Sequence, residues 1–297
     1  MIVVNSLLNI VLPAFFVIAV GIFIGNKFKP DIAPINRIAL FSTTPALVFN
    51  SMLKTQLAFN AVARLILVYL LVIAIMIALS YLLSFKFELP DRRGLMSTSA
   101  FSNTGNLNLP IALFAFGKSG LELAVVLYII TTVLLFSLAP VIMTGGSKGF
   151  SLKKILSLPT IWAALIALAI NALNIPLATG ISRGIEILSQ GAIPLVLLLL
   201  GMQIAQRGIK MPSTINYLGA FLKLILAPIV AFFLAKIFGL KDLDLSVLVL
   251  LASMPPAVLN FMLALEFDAS PEEVAGTIVL STLTALITIS VVVSLLI

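Results

Sequence analysis

The chain of 297 residues has no cysteine, no histidine and a single tryptophan. Lack of cysteine excludes disulfides, thiol nucleophiles and thiolate metal sites. Lack of histidine removes the commonest metal ligand and proton shuttle. Charge is scarce as well: 10% of residues are Asp, Glu, Lys or Arg, against roughly 25% in a soluble domain. The aspartates, at 31, 91, 242, 244 and 268, read as loop residues. Neither a zinc HExxH, nor a pair of intramembrane aspartates, nor a serine with a histidine base can be built from these residues. The chain is therefore read as a non-enzyme, and no cofactor is expected.

What remains is mostly hydrocarbon. Hydrophobic residues make up 61% of the chain, which places it among multi-pass membrane proteins. A span takes about 20 apolar residues. Ten candidates run near 5–25, 34–53, 61–85, 95–116, 120–143, 158–175, 182–205, 214–238, 246–266 and 273–297. The opening "MIVVNSLLNI" lacks a basic region and a cleavage site, so it reads as the first span, retained.

Cationic residues set the orientation. With the N-terminus outside, eleven fall in cytoplasmic loops: Lys27, Lys29, Arg37, Lys86, Arg92, Arg93, Lys148, Lys153, Lys154, Arg207 and Lys210. Six fall outside: Lys54, Arg64, Lys118, Arg183, Lys236 and Lys241. Both termini are expected outside, in a cell (plasma or inner) membrane. The net charge of +7 is then topological, with anionic lipid rather than nucleic acid as its partner.

The chain also repeats. Leu12-Pro13 recurs as Leu158-Pro159, Asn36-Arg37 as Ser182-Arg183, and Pro110 as Pro256, all at an offset of 146 residues. Pro45 recurs as Pro194, three residues later than that offset. Five spans per unit is an odd number, so tandem units cross the membrane in opposite senses. The expected fold is an all-α membrane protein of two inverted five-helix repeats, 1–145 and 146–297.

The least helical stretches are "SNTGNLNLP" (102–110) in the fourth span and "LASMPPAVLNF" (251–261) in the ninth. Proline removes a backbone donor and clashes with the turn before it. Freed backbone is tolerated in a membrane only against protein or a watery cavity. Matched breaks in inverted halves therefore point to a midplane binding site. New half-helices are expected near Pro110, capped by Asn108, and near Pro255, capped by Ser253. Their positive dipole ends would favour a small organic anion. Asn103, Thr104, Gly105, Asn106, Asn108 and Asn260 are the candidate binding residues, and Pro110, Pro255 and Pro256 the crossover.

Two features invite plainer readings. Gly21 and Gly25 suit close helix packing. Lys223, inside the eighth span, is within snorkelling reach of the inner surface.

The stretches "NTGNLNLPIALFAFGKSGLELAVV", "LLLLGMQIA" and "MPPAVLNFMLALEFDASPEEVAGTIVLSTL" resemble the fourth, seventh and ninth spans of the auxin efflux carrier family. The resemblance covers essentially the whole chain. It implies a crossing of the broken helices beside the substrate, a homodimer, a scaffold of spans 1–2 and 6–7, and a moving domain of spans 3–5 and 8–10. The family's substrate-binding asparagine matches Asn103, and its crossover prolines match Pro110 and Pro255. The long loop of the plant carriers is absent: only "TGGSKGFSLKKILS" stands there, as in prokaryotic members, whose substrates include malate and malonate. Sodium and protons both remain open as coupling ions, with sodium or uniport favoured because no acid lies at the breaks. A sodium–bile acid symporter-like carrier and an anion channel are the other readings.

Overall fold

A computed structural model describes residues 2–55, 59–146, 152–207 and 211–297. The inter-repeat residues 147–151 and Lys210 lie outside them. The described residues are overwhelmingly helical. Long rods form at Val3–Phe28 (α1), Ile32–Lys54 (α2) and Phe59–Leu83 (α3). Leu89–Ala100 (α4) is followed by a π turn at Thr104–Asn108 and then Leu109–Thr144 (α5). The short Leu152–Leu156 (α6) precedes Pro159–Ala172 (α7), Thr179–Arg207 (α8) and Thr214–Ile237 (α9). Asp242–Ala252 (α10), Leu259–Phe267 (α11) and Pro271–Leu296 (α12) complete the order. Among the described residues, seven helical stretches are long and apolar enough to cross a membrane. The chain is a multi-pass membrane protein.

Prolines shape these rods in a regular way. π turns at Leu7–Val11, Ala39–Thr43, Thr104–Asn108 and Leu222–Leu226 each end one residue short of an X-Pro pair: Leu12-Pro13, Thr44-Pro45, Leu109-Pro110 and Ala227-Pro228. The proline ring clashes with the carbonyl four residues back. Widening that turn moves the carbonyl away, and the helix continues.

At 36 residues, α5 would be about 54 Å long at 1.5 Å per residue, far beyond a hydrocarbon core of about 30 Å. It is broken at Gly117, whose φ of 66° and ψ of −158° are non-helical. Only glycine adopts this conformation without strain. The segment is therefore two helices joined by a kink at Gly117. Asp91, Asp242 and Asp244 are not loop residues: they stand in the first turns of α4 and α10, where the dipole favours carboxylates.

α1 packs along α8, and α2 packs on α7 and α8. The α1–α8 seam is made by glycines. A Cβ on Gly21 would collide with the Leu198 carbonyl oxygen, and one on Gly201 with that of Ile18. The close-packing reading of Gly21 and Gly25 holds, and Gly201 supplies the facing side. Elsewhere α9 lies against α3, α10 and α12, and α5 against α10 and α11. Phe16, Phe23, Trp162, Leu165 and Ile187 are exposed on the outer surface, as lipid-facing side chains should be.

Candidate functional site

The two interrupted stretches meet. Asn103 N donates to Pro255 O at 2.7 Å, and Ala257 N donates to Phe101 O at 2.9 Å. Ser102 thereby faces Pro256 in a one-residue antiparallel bridge. In that pairing the donors come from the residues flanking Ser102 and Pro256. A proline at the centre therefore costs no ladder bond. Pro255, which also has no donor, contributes only its carbonyl.

The crossing lies at Ser102 and Pro256 rather than at Pro110. Pro110 stands in the first turn of α5, one π turn further along. The helical run already begins at Thr104, with Asn103 as its N-cap. The Asn103 Oδ1 accepts from Asn106 N at 3.1 Å. The expected caps are therefore corrected. Asn108 is completely buried, makes no capping bond, and neither polar atom of its side chain has a partner among the described residues. Ser253 closes the end of α10, its Oγ donating to Leu250 O. The second half-helix starts at Leu259, not Pro255.

Asn260 is equally buried but fully engaged. Its Oδ1 accepts from Ser97 Oγ at 2.7 Å. Its Nδ2 donates to Phe101 O at 3.3 Å and Ala257 O at 3.0 Å. It fastens the end of α4 to the start of α11.

Beside the crossing lies a cavity of about 220 Å³. Of the candidate residues, Asn103, Thr104, Gly105 and Asn106 line it, whereas Asn108 and Asn260 do not. Ala257, Val258 and Leu259 line it from the other break. Both half-helices thus open on it by their N-terminal ends. The lining also includes Tyr128, Thr131 and Thr132 of α5, Thr160 of α7, and Gln203 of α8. Sequence reasoning missed these five. They come from helices far apart in the chain, and only Gln203, in an otherwise apolar run, stood out. Gly105 packs closely under Tyr128: a Cβ there would stand 3.0 Å from the ring.

None of the described lining residues is charged. Two buried polar atoms of the lining residues lack partners: Asn103 Nδ2, a donor, and Gln203 Oε1, an acceptor. Buried polar groups are normally satisfied, and both of these belong to residues beside the cavity. The chemistry offered is neutral: amide and hydroxyl donors, helix-end amides and an apolar flank including Leu40, Phe136 and Met262.

The family model described as "Membrane transport protein" matches residues 6–152 and again 143–293. The chain belongs to this family. It is the auxin efflux carrier group that the span motifs resemble. Curated relatives agree. An uncharacterized transporter of Methanothermobacter thermautotrophicus is 28% identical over 96% of this chain and 94% of its own length. Another, from Methanocaldococcus jannaschii, is 25% identical over 95% and 96%. A Rhizobium meliloti protein named "Putative malonate transporter" is 27% identical over 64% of this chain and 63% of its own length. This membrane transport protein thus has relatives along nearly its whole length.

Proposed function

We propose that the chain is a secondary carrier of a small organic anion, bound in the cavity beside the crossing, and that it is not an enzyme. The observation that carries this reading is the convergence of two half-helix N-terminal ends and the free Asn103 Nδ2 on one uncharged cavity. Half-helix dipoles and neutral donors attract a carboxylate without a fixed ion pair, so release on the far side stays easy. The malonate name of one relative supports the substrate class.

The reading includes ten spans in two inverted five-helix repeats, 1–145 and 146–297. α4 with Thr104–Phe116, and α10 with α11, are the broken fourth and ninth spans. The packing of α8 on α1 and α2, and of α2 on α7, supports a scaffold of spans 1–2 and 6–7. Spans 3–5 and 8–10 then form the moving domain, which slides along the scaffold as an elevator in a homodimer. The cavity fits such a mechanism, since α2, α7 and α8 supply one part of its lining and the crossing with α5 the rest.

Saturable uptake of labelled malonate into proteoliposomes, with counterflow from preloaded vesicles, is the expected result. Uptake without saturation or counterflow would favour the channel reading. Dependence of uptake on an inward sodium gradient would favour a symporter. Failure of malonate, malate and indole acetate alike to bind would defeat the anion reading.

Both termini face outward in this reading, in a cell membrane, from the cationic asymmetry of the loops. On this cysteine-free chain, Lys118→Cys is expected to label with an impermeant maleimide from outside intact cells. Gly146→Cys is expected to label only after permeabilisation. The reverse pattern would invert the topology.

A further inference from the structure

Lys223 does not snorkel. It is 2% exposed, in the π turn Leu222–Leu226 of α9, which packs on α4 and α12. α9 supplies no residue to the cavity beside the crossing, so this buried cation is not part of its lining. Other charges on the lining helices are held elsewhere. Arg37 and Lys118 are exposed, Glu122 accepts from Thr55, and the exposed Glu266 pairs with Lys154. Tyr128 carries the one titratable side chain of the described lining. It is a phenol, a group uncharged at neutral pH.

The positive charge that the cavity does offer can be counted. A helix N-terminus is equivalent to about half a unit charge. Two open on this cavity: one at Asn103 and Thr104, the other at Val258 and Leu259. The backbone N–H groups of Gly105, Val258 and Leu259 have no acceptor among the described residues. Asn103, 4% exposed, adds a neutral donor in its unpartnered Nδ2. The negative ends of α4 and α10 also reach the crossing, but neither helix supplies a lining residue. Together the two positive ends balance about one carboxylate. A second carboxylate would enter without a counter-charge, and an uncompensated carboxyl in such a site keeps its proton instead.

The lining has an acceptor for that proton. Thr131 and Thr132 donate their hydroxyl hydrogens to Leu127 O and Tyr128 O, both at 2.7 Å. A hydroxyl whose hydrogen is spent can only accept. It offers nothing to a carboxylate, which also only accepts, but it can take a bond from a carboxyl O–H. Thr131 already bonds the Tyr69 hydroxyl at 2.6 Å, which leaves Thr132 the freer of the two.

We propose that the cavity accepts a single negative charge per substrate: a monocarboxylate as it stands, and a dicarboxylate such as malonate only with one carboxyl protonated. This rests on the anion-carrier reading of the same cavity. The proton crosses on the substrate and is released to water on the far side. A pH gradient therefore drives dicarboxylate uptake with no acid or base of the protein taking part.

The test is titration calorimetry of the purified full chain with malonate and with monomethyl malonate, from mildly acid to mildly alkaline pH. Above malonate's second ionisation the competent species becomes scarcer, so the malonate Kd should rise about tenfold per pH unit. The monoester remains a monoanion throughout, so its Kd should stay constant and, at the alkaline end, lie below that of malonate. A flat malonate line overturns the proposal. So does a monoester that binds more weakly than malonate at alkaline pH. A monoester line as steep as malonate's places the titration on the protein and overturns it too. In proteoliposomes with a trapped pH dye, malonate uptake should acidify the lumen and monoester uptake should not; malonate uptake without acidification counts against the proposal in the same way. If neither compound binds at any pH, the anion-carrier reading itself fails and takes this proposal with it, a result distinct from a flat malonate line.

Discussion

Asn103→Ala is expected to weaken malonate binding by roughly ten- to a hundredfold, because a hydrogen bond to a charged group is worth about 1.5–3 kcal/mol. Asn103 divides its carboxamide between two tasks. Its Oδ1 caps the turn that starts at Thr104, through Asn106 N. Its Nδ2 has no partner among the described residues and belongs to a residue lining the cavity. Alanine removes both. Loss of a cap costs about 1 kcal/mol, which a large membrane protein with an intact crossing tolerates. Asn103→Asp separates the tasks. It keeps the capping oxygen, and strengthens it at a positive helix end, but replaces the free donor by a second oxygen and adds a negative charge facing the anion. The aspartate variant should therefore bind malonate no better than the alanine one while melting at or above it. Isothermal titration and a melting curve on the same preparations check both statements. Binding by Asn103→Ala within twofold of the parent would remove Asn103 from the site.

How much of this was legible in the sequence differs by feature. The two breaks were visible because proline and asparagine runs are costly inside an apolar helix, so their positions stand out locally. The crossing residue was not visible. Whether Ser102 or Pro110 faces Pro256 depends on backbone pairing between segments about 150 residues apart, and nothing in either segment alone fixes that register. Asn108 reads as a cap by its nearness to Pro110. The competing signal was the Asn103–Asn106 spacing, an N-cap followed three residues later by the amide it bonds. The π turn ahead of the proline moves the cap back to Asn103. Lys223 was placed by its distance along the helix from the inner surface. Burial is a tertiary fact, set here by α4 and α12 closing over α9. Thr131, Thr132 and Thr160 were unreadable for the same reason: a hydroxyl in a membrane helix commonly bonds its own backbone, as Thr131 and Thr132 do with Leu127 O and Tyr128 O. Only the fold shows that they also face a cavity.

Asn260→Ala should do more damage to stability than Asn103→Ala, by a different route. Sequence alone grouped the two asparagines as substrate contacts. In the structure Asn260 is away from the cavity lining and holds three bonds: one from Ser97 Oγ and two to the carbonyls of Phe101 and Ala257. Phe101 O also receives Ala257 N, so one side chain and one backbone bond converge on the same crossing. Truncation would leave the buried Ser97 hydroxyl without its acceptor and a void between α4 and α11. An unsatisfied buried group costs about 1–3 kcal/mol, and the void adds to it. A loss of about 2–4 kcal/mol overall should lower the melting temperature by about 5–10 °C. Malonate binding would fall only as far as the crossing loosens. Ser97→Ala provides the control. If the Ser97–Asn260 bond is the structural tie, the double variant should cost less than the sum of the two single ones. An Asn260→Ala protein that melts with the parent yet no longer binds malonate would return Asn260 to the substrate and take it out of the crossing.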